Sequence, residues 1–406
     1  MNHIQNILII GYDTRNIVCS ANKSGYNVYS IDAFCDFDLK ESAVSTKKIP
    51  SNYVEDIKSI SCKKVVEWIS EFEIDFDAIV LDSGFEYINQ EQLPSKVLNN
   101  SQEIMNEVTD KYRFARKLES MDIPHPITYS ANDIKNINDY PIIVKPKRAG
   151  GGMFNRKAES FDELESVIDE LLETYPLWTL DDLIIQKFEK GIPVSVSMVS
   201  TGDNAYAIAI NEQLIGEPWL TDTEFAYCGN ITPFETLYQD EMYKISKQLM
   251  LELGLKGSNG VDFIITEDGP VVLEINPRLQ GSLDTVEIAT DMNLFDTHVK
   301  SFSGILPETT DVKQFAARAV VYSQNDVLIN KQILNGLIGQ NTVDIPDVGH
   351  HIGIDEPLTS VVHKGHSRRD VMEKLRISVE KIHCLTDGKG KEKNKTIPNL
   401  NTKLKS

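Results

Sequence analysis

The sequence is short of cysteine, of long apolar runs and of positive charge. Its five cysteines are widely spaced and include no C-x-x-C pair, which excludes a disulfide framework and predicts reduced thiols. No run approaches the length of about 18 apolar residues that a membrane helix needs, and the first residues lack the basic region and cleavage site of a signal peptide. The cytoplasm is therefore the expected location.

The net charge of −20 narrows the range of partners. Nucleic acids and anionic membrane surfaces both bind through a concentrated positive field, so neither is expected here. With 41% hydrophobic and 25% charged residues, the composition is that of a globular protein. A chain of 406 residues is long enough for roughly two to three domains, each with its own core.

Residues 1–108 predict an α/β domain. The runs 6–11, 26–32 and 76–84 are typical of buried strands, and a helix is expected over residues 14–24. Alternating strands and helices indicate a parallel sheet. The turn GYDTRN after the first strand lacks two of the three glycines of a G-x-G-x-x-G motif, so a nicotinamide dinucleotide is not expected there.

The next segment places a lysine where a helix disfavours it. A helix is predicted to begin after Thr109 or Asp110, which puts Lys111 in its first turn. A cation at that end works against the helix dipole. Residues that oppose the local preference of their helix are often found at functional sites, so Lys111 is a candidate site residue. The alternative is a solvated surface lysine.

A glycine-rich turn follows in YPIIVKPKRAGGG. Lys145 ends a predicted strand, and Gly150, Gly151 and Gly152 form a turn whose successive backbone N–H groups can converge on an anion. A lysine beside such a turn supplies a point charge for phosphate. No G-K-[ST] follows, so this is not a Walker A loop, and a plain hairpin is the alternative.

The segment DLIIQKFEKGIPVSVS predicts a strand, a short turn and a second strand. If it links two lobes, the backbone groups of Gln186, Lys187, Phe188 and Glu189 can face a purine while the Phe188 ring offers an apolar contact. An ordinary β-hairpin is the alternative.

The stretch VVLEINPRLQGSLD carries Glu274, Asn276 and Arg278 at every second position of a predicted strand. Side chains at this spacing share one face, so that face is not ordinary core. In the predicted hairpin with the preceding strand, a three-residue loop brings Asp262 opposite Glu274, whereas a two-residue loop would put them on opposite faces. Two carboxylates and an amide suit Mg²⁺. A ladder of solvated salt bridges is the alternative.

Lys111, KPKRAGGG, QKFEKG, GVDFII and LEINPR occur in the order and at the spacings of the ATP-grasp superfamily of carboxylate-amine and carbon-nitrogen ligases. The chain most resembles the archaeal-type predicted ATP-dependent carboligases and is distantly similar to biotin carboxylase. The resemblance implies a multidomain α/β and α+β architecture with an ATP-grasp fold. Its parts would be an N-terminal parallel-sheet (pre-ATP-grasp) domain over 1–108, an ATP-grasp domain over 109–311 with a lid at about 125–188, and a small β-rich cap over 312–386.

The resemblance also implies ATP and Mg²⁺ or Mn²⁺ as cofactors. The residues it assigns to nucleotide binding are Lys111, Lys145, Gly150, Gly151, Gly152, Gln186, Lys187, Phe188 and Glu189. The metal ligands would be Asp262, Glu274 and Asn276, and the catalytic residues Arg278 and Lys145. ATP would phosphorylate a small-molecule carboxylate, and an amine would attack the acylphosphate, with release of ADP and phosphate. An ATP-dependent carboxylase or kinase and a non-catalytic nucleotide sensor are the alternatives, and a homodimer is compatible with the resemblance.

The last part of the chain is less informative. Short strands and a helix over 367–382 are expected, and the lysine-rich residues 387–406 are predicted to be disordered. Zinc is not expected at His350, His351, His363 and His366, which lie in turn-rich sequence without a cysteine. Residues 13–15 and 280–284 are candidate locations for the acceptor substrate.

Overall fold

The computed structural model describes residues 4–54 and 60–387. The predicted disordered tail lies outside the described residues from position 388 onward. The chain forms a four-stranded parallel sheet, a four-stranded antiparallel sheet, an eight-stranded antiparallel sheet and a two-stranded ribbon. This mixed α/β architecture confirms the predicted fold class.

The parallel sheet occupies the first part of the chain. Its strands are β1 (Asn6–Ile10), β2 (Asn27–Asp32), β3 (Ser45–Lys48) and β4 (Ala78–Leu81), and its helices are α1 (Arg15–Lys23), α2 (Phe37–Ser42), α3 (Ser51–Val54), α4 (Cys62–Ser70) and α5 (Gln102–Val108). The strand order is β3-β2-β1-β4, so the chain reverses its winding between β1 and β4. Open α/β sheets bind ligands outside the carboxyl ends of the strands at such a switch point.

The lid sheet follows helix α6 (Lys111–Ser120). It contains β5 (Thr128–Ser130), β6 (Ile142–Pro146), β7 (Arg156–Ala158) and β8 (Leu183–Lys187), with helix α7 (Phe161–Thr174). Val144 and Ile185 pack with the apolar face of α7 in one core, since helix residues 164, 168 and 171 are buried at helical spacing. Side chains alternate along a strand, so Lys145 lies on the other face of the sheet.

The eight-stranded central sheet has the order β13-β12-β9-β10-β11-β14-β18-β16. Its strands are β9 (Ile192–Thr201), β10 (Ala205–Ile215), β11 (Tyr227–Thr232), β12 (Lys256–Thr266), β13 (Gly269–Asn276), β14 (Phe315–Tyr322), β16 (Thr342–Val343) and β18 (Pro357–Gly365), and the separate ribbon pairs β15 (Val327–Leu328) with β17 (His351–Ile352). The helices of this region are α8 (Gln239–Glu252), α9 (Leu283–Thr290), α10 (Leu294–Ser301), α11 (Lys331–Leu337) and α12 (Arg368–Thr386). The β-rich segment over 312–386 thus extends the central sheet through β14, β18 and β16.

The two faces of the central sheet differ in chemistry where β9, β10 and β12 lie side by side. On one face Val196, Val261 and their neighbours pack with α6 and α8 in an apolar core. On the other face Ser195 pairs in register with both Asn211 and Asp262, and all three are buried. This polar face carries Asp262, which lies opposite Glu274 on β13.

The hairpin of β12 and β13 corrects one prediction. Thr266 pairs with Gly269, so the loop has two residues, and yet Asp262 lies opposite Glu274. The register shifts between Asp262 and Phe263, which leaves Leu273 as an extra residue on β13. A β-bulge of this kind moves the pairing by one residue. The predicted pairing is therefore present, but the bulge produces it and not a three-residue loop.

The segment between β8 and β9 joins the lid sheet to the central sheet. The hairpin alternative for residues 182–200 is therefore wrong, and the interpretation as a link between two lobes holds. Among the helices in the described part of the chain, none is long and apolar enough to cross a membrane.

Candidate active site

A capped helix fixes the first lysine of the site. Asp110 is the N-cap of α6, and its Oδ1 accepts hydrogen bonds from the backbone N–H groups of Tyr112 and Arg113, each at 3.1 Å. The Lys111 ammonium lies 3.1 Å from Glu274 Oε2, and its side chain is 12% exposed. A carboxylate from β13 thus offsets the unfavourable end of the helix dipole, and the solvated-surface alternative is wrong.

Lys145 is buried on the face of the lid sheet opposite α7. Burial and the charge of Lys111 lower its pKa to about 8, while the charge of Glu274 acts in the opposite direction. Two lysines therefore share one ionised carboxylate in a place with little water. A polyanion such as a phosphate chain would neutralise the excess positive charge.

The glycine turn lies beside these lysines, since Lys111 Nζ donates to the carbonyl of Ala149 at 2.6 Å. Gly151 and Gly152 adopt φ values of +74° and +72°. A Cβ on Gly152 would lie 1.9 Å from the carbonyl oxygen of Phe225, so only glycine fits there. The carbonyl of Gly151 also accepts from the backbone N–H of residue 227 at 3.0 Å. The turn is thus held against the segment that joins β10 to β11.

Asp262, Glu274 and Asn276 lie together on the hairpin of β12 and β13. Asn276 Nδ2 donates to Asp262 Oδ2 at 3.0 Å, whereas Asp262 Oδ1 is buried without a hydrogen-bond partner among the described residues. Burial and the charge of Glu274 raise the pKa of Asp262 to about 7. Burial also acts to raise the pKa of Glu274, but Lys111 and Lys145 outweigh it, and that pKa is lowered.

These three residues fit a divalent cation. Two carboxylates and an amide oxygen are hard ligands, and Mg²⁺ usually takes one or two carboxylates and leaves its other positions to water and phosphate. A buried carboxylate oxygen without a partner is unfavourable in the empty protein. A cation there would favour the ionised form of Asp262, which burial and Glu274 disfavour.

Arg278 stands between the metal-ligand hairpin and the parallel sheet. Its Nε lies 3.3 Å from Glu86 Oε1, and its Nη1 lies 3.8 Å from Asp82 Oδ1. Its Nη2 donates no hydrogen bond to the described residues. Burial acts to lower the pKa of Arg278, but the charges of four carboxylates outweigh burial and raise the pKa overall, so the guanidinium stays charged. These carboxylates are Asp82, Glu86, Glu274 and Asp262. The free edge of the guanidinium is suited to a substrate carboxylate.

Residues 186–189, which link the lid sheet to the central sheet, differ in which of their polar groups stay free to bind a nucleotide. Gln186 Nε2 donates to Thr128 Oγ1 at 2.9 Å inside the lid sheet. Lys187 pairs with Asp139 at 3.1 Å at the surface. The backbone N–H groups of Lys187 and Phe188 donate to lid carbonyls at 2.9 and 3.0 Å. These two amide groups are therefore occupied and do not reach a purine in this conformation.

The ring of Phe188 lies at the junction of the two sheets. Its centroid is 4.7 Å from Lys157 Nζ and 6.3 Å from the ring of Phe225. Glu189 follows it and is half-buried. An apolar contact from Phe188 remains the prediction for this segment.

A second buried group of charges, the domain-joining cluster, consists of Arg15, Asp284, Arg318 and Asp344. Arg15 Nη1 and Nη2 donate to the two oxygens of Asp284 at 3.1 and 2.6 Å, and Arg15 Nε donates to Asp344 at 2.7 Å. Arg318 Nη2 donates to Asp344 at 2.6 Å. Arg15 and Asp284 come from the two stretches considered for acceptor binding, and in the structure they bind each other.

Asp344 of this cluster also belongs to a group of three acids, whereas the histidines considered for zinc have other neighbours. Asp13, Asp36 and Asp344 each offer one oxygen within 4.8 Å of the others, the one such group among the described residues. His350 Nε2 lies 3.1 Å from Lys48 Nζ, and His363 Nε2 lies 2.8 Å from a serine hydroxyl on α12. The two histidines thus have separate partners.

Asp82 and Glu86 were missed by the sequence reasoning. Asp82 directly follows β4, at the switch point of the parallel sheet. The signal was present, because a carboxylate after the buried run AIVL lies where such sheets bind ligands. What was lacking was the strand order, which sets β4 beside β1.

Residues 108–282 match the ATP-grasp domain family. An uncharacterized protein of Methanocaldococcus jannaschii is 25% identical over 374 residues, which cover 88% of each chain. The carbamoyl phosphate synthase large chain of Methanoculleus marisnigri is 25% identical over 301 residues, 70% of this chain and 27% of that one. The chain thus spans about a quarter of the length of that relative.

Solved structures show the same fold. The biotin carboxylase domain dimer of Hydrogenobacter thermophilus 2-oxoglutarate carboxylase, in complex with MgADP and bicarbonate, has a TM-score of 0.73 at 14% identity and covers 94% of this chain and 90% of its own. An L-amino acid ligase from Bacillus licheniformis has a TM-score of 0.69 at 15% identity, with 94% and 98% covered. The predicted resemblance to ATP-grasp proteins and to biotin carboxylase is confirmed.

Proposed function

We propose, from the ATP-grasp domain at residues 108–282, that the protein is an ATP-dependent ligase. It activates a small-molecule carboxylate as an acylphosphate and joins it to an amine, with release of ADP and phosphate. The observation that supports this most is the lysine–carboxylate cluster of Lys111, Lys145, Asp262 and Glu274, in which Asp262 Oδ1 is buried without a partner. The cluster is incomplete without a phosphate chain and a cation.

The lysines and the glycine turn hold the nucleotide. Lys111 and Lys145 neutralise the α- and β-phosphates. A Cβ built on Gly150 or Gly151 would have no atom within 4 Å, so this part of the turn leaves room for the γ-phosphate. Asp262, Glu274 and Asn276 would hold Mg²⁺, which supplies positive charge to the β- and γ-phosphates when it is bound.

Arg278 orients the carboxylate that is phosphorylated. Its Nη2 offers two N–H groups in a planar fork, and the guanidinium is fixed by Glu86 on its Nε edge. A carboxylate held there meets the terminal phosphate at the border of the lysine–carboxylate cluster. No side-chain nucleophile is needed, since positioning and charge stabilisation perform the phosphoryl transfer.

Proteins of the same fold favour a ligase over a nucleotide sensor. An L-amino acid ligase and an N5-carboxyaminoimidazole ribonucleotide synthetase in an ADP complex both match nearly the whole chain. The biotin carboxylase domain of Hydrogenobacter thermophilus 2-oxoglutarate carboxylase was crystallised as a dimer. On this basis the proposal includes a homodimer.

Nucleotide turnover tests the proposal. The purified protein is incubated with ATP, Mg²⁺ and a panel of amino acids, simple amines, carboxylates and bicarbonate, and ADP is separated from AMP. We expect ADP and phosphate that depend on the acceptor and vanish in Glu274→Gln. Glu267→Gln makes the same change in the exposed loop of the same hairpin and should retain turnover. AMP as product would overturn the acylphosphate mechanism, and ATP binding without turnover would favour a sensor.

A further inference from the structure

The crevice that open α/β sheets form outside the carboxyl ends of their strands falls here at the switch point between β1 and β4. Asp82 follows β4 directly, and its backbone N–H donates to the carbonyl of Ile10 at 2.7 Å. Across the crevice, a Cβ on Gly11 would lie 3.0 Å from Asp82 Cβ and 2.9 Å from Thr14 Cγ2. Any side chain at position 11 would therefore push against the wall that carries Asp82.

Asp82 is a buried acid with a missing partner. Its side chain is 6% exposed, and its Oδ1 accepts no hydrogen bond from the described residues. The cation recorded beside it, Arg278 Nη1, is 3.8 Å away, beyond hydrogen-bond distance. Burial raises the pKa of Asp82 to about 6 in spite of that cation and of hydrogen bonds from Ser83. A buried carboxylate oxygen in this state is costly unless a ligand supplies a donor.

The charges around the crevice select the sign of that ligand. Asp82 and Glu86 supply two carboxylates against the one guanidinium of Arg278. A further anion such as bicarbonate next to Asp82 would be repelled by these two carboxylates, whereas an ammonium group would balance their charge and donate a hydrogen bond to Asp82. Arg278 separates these two carboxylates from the metal-ligand carboxylates and keeps its Nη2 for the activated substrate.

On the basis of the proposed ligase function, we infer that Asp82 binds the ammonium group of a primary amine and takes one proton from it before the amine attacks the acylphosphate. The site therefore belongs to a cationic amine, such as an amino acid or an alkylamine. It does not fit an acceptor that is neutral, such as the ring nitrogen that accepts the activated bicarbonate in a carboxylase, because such an acceptor brings no cation to Asp82.

The proton balance of this step is complete. The ammonium gives one proton to Asp82, and the neutral nitrogen attacks the acyl carbon. The C–N bond forms, the bond from the acyl carbon to the phosphate oxygen breaks, and the phosphate leaves with that electron pair. The second proton of the attacking nitrogen goes to the departing phosphate, and Asp82 returns its own proton to water. The amide, hydrogen phosphate and one proton result.

Hydroxylamine separates the two halves of the reaction. It is largely unprotonated at neutral pH, so it traps an acylphosphate as a hydroxamate without a cation site or a base. The wild-type protein is assayed with ATP, Mg²⁺ and each of the protein L-amino acids, acetate and succinate, first with hydroxylamine and then with methylamine, ethanolamine and the amino acids as acceptors. In Asp82→Asn we expect amide formation to fall roughly 100-fold while hydroxamate formation stays within a few-fold.

Glu86→Gln is the matched control, because it removes the other acidic partner of Arg278 without touching Asp82. It removes one of the two negative charges but leaves the base in place, so amide formation should fall only a few-fold relative to hydroxamate formation. If Asp82→Asn lowers both rates in parallel, Asp82 only positions Arg278 and the inference is wrong. If the wild-type protein forms no hydroxamate and no ADP with any carboxylate, the proposed function itself fails. A hydroxamate rate close to that of the wild type also shows that Asp82→Asn is folded.

Discussion

The lysine–carboxylate cluster and the domain-joining cluster both bury charged side chains, but they satisfy them differently. In the domain-joining cluster, Arg15 and Arg318 form short bonds to Asp284 and Asp344 at 2.6 to 3.1 Å. Burial alone would raise the pKa of both acids, but the two arginines outweigh it and lower both values. Buried charges that are paired in this way hold the parallel sheet against the central sheet.

The lysine–carboxylate cluster has one direct ion pair, between Lys111 and Glu274. Burial, together with a like charge nearby, raises the pKa of Asp262 to about 7 and lowers that of Lys145 to about 8. Both shifts disfavour the charged form in the protein without ligand. Perturbed charged groups that lack a direct ion pair are typical of a binding site, whereas paired ones are typical of structure.

The largest effect is expected for Asp262→Asn. Without this ligand the metal and the phosphates lose an anchor, so ATP turnover should fall by about 10³-fold, equivalent to about 4 kcal/mol of activation free energy. The melting temperature without ligand should stay the same or rise, because a buried acid with a raised pKa is removed. The measurements are ADP release and thermal unfolding. Asp268→Asn, in the exposed loop of the same hairpin, should change neither, and a variant that loses activity by unfolding would contradict the comparison.

The second prediction concerns Arg15→Met in the domain-joining cluster. It leaves Asp284 with Arg318 alone, 3.7 Å away, and removes one of the two arginine partners of Asp344, so the free energy of unfolding should fall by about 3 kcal/mol. Urea denaturation measures this loss. ATP turnover per folded molecule should persist, because Arg15 touches none of the lysine–carboxylate cluster. Arg369→Met on the exposed face of α12 is the control, and a selective loss of turnover at unchanged stability would reverse the assignment.

The sequence predicts the lysine–carboxylate cluster far better than the domain-joining cluster. Glu274 and Asn276 alternate on a strand that would otherwise be apolar, and Lys111 breaks a helix rule, so both leave a local signal. Arg15 and Asp284 are 269 positions apart and leave none, because their pairing depends on how two sheets pack. The bulge at Leu273 likewise depends on tertiary contacts and cannot be read from the loop alone.

The third prediction tests how the glycine turn serves the lysine–carboxylate cluster. Gly152→Ala places a Cβ 1.9 Å from the Phe225 carbonyl at a φ of +72°, so the turn must move away from the segment that joins β10 to β11. We expect KM for ATP to rise about tenfold, equivalent to about 1.4 kcal/mol, with little change in the melting temperature. Steady-state ADP release measures it.

Two neighbouring glycines provide the controls for this prediction. Gly151→Ala has a positive φ but open space around its Cβ, and Gly150→Ala has open space without a positive φ. The expected order of effect on KM is therefore position 152, then 151, then 150. Equal effects at all three positions would mean that chain flexibility matters and that contact with Phe225 does not.

The smallest effect, and the one that sharpens the comparison most, is the pH dependence of Asp36→Asn. Asp36 is buried beside the domain-joining cluster, and burial together with Asp344 and Asp13 raises its pKa from 3.8 to about 9. The folded protein keeps this proton up to about pH 9, whereas the unfolded chain loses it near pH 4, so Asp36 lowers stability increasingly as the pH rises between these values. Asparagine cannot ionise in either state. The variant should therefore melt close to the wild type at pH 5 and a few degrees above it at pH 8.5.

Exposed Asp203→Asn is the control for this titration and should leave the pH dependence unchanged. Differential scanning calorimetry at pH 5, 7 and 8.5 measures all three proteins. If the melting temperature of Asp36→Asn rises above that of the wild type by an amount that grows with pH, only the four ion-paired members of the domain-joining cluster have charged partners. Asp36, at the edge of the cluster, is then held neutral by burial. A loss at pH 8.5 would mean instead that the ionised Asp36 is stabilised by a cation which the described side chains do not supply. The contrast between a paired structural cluster and an unpaired binding cluster would then no longer separate the two regions.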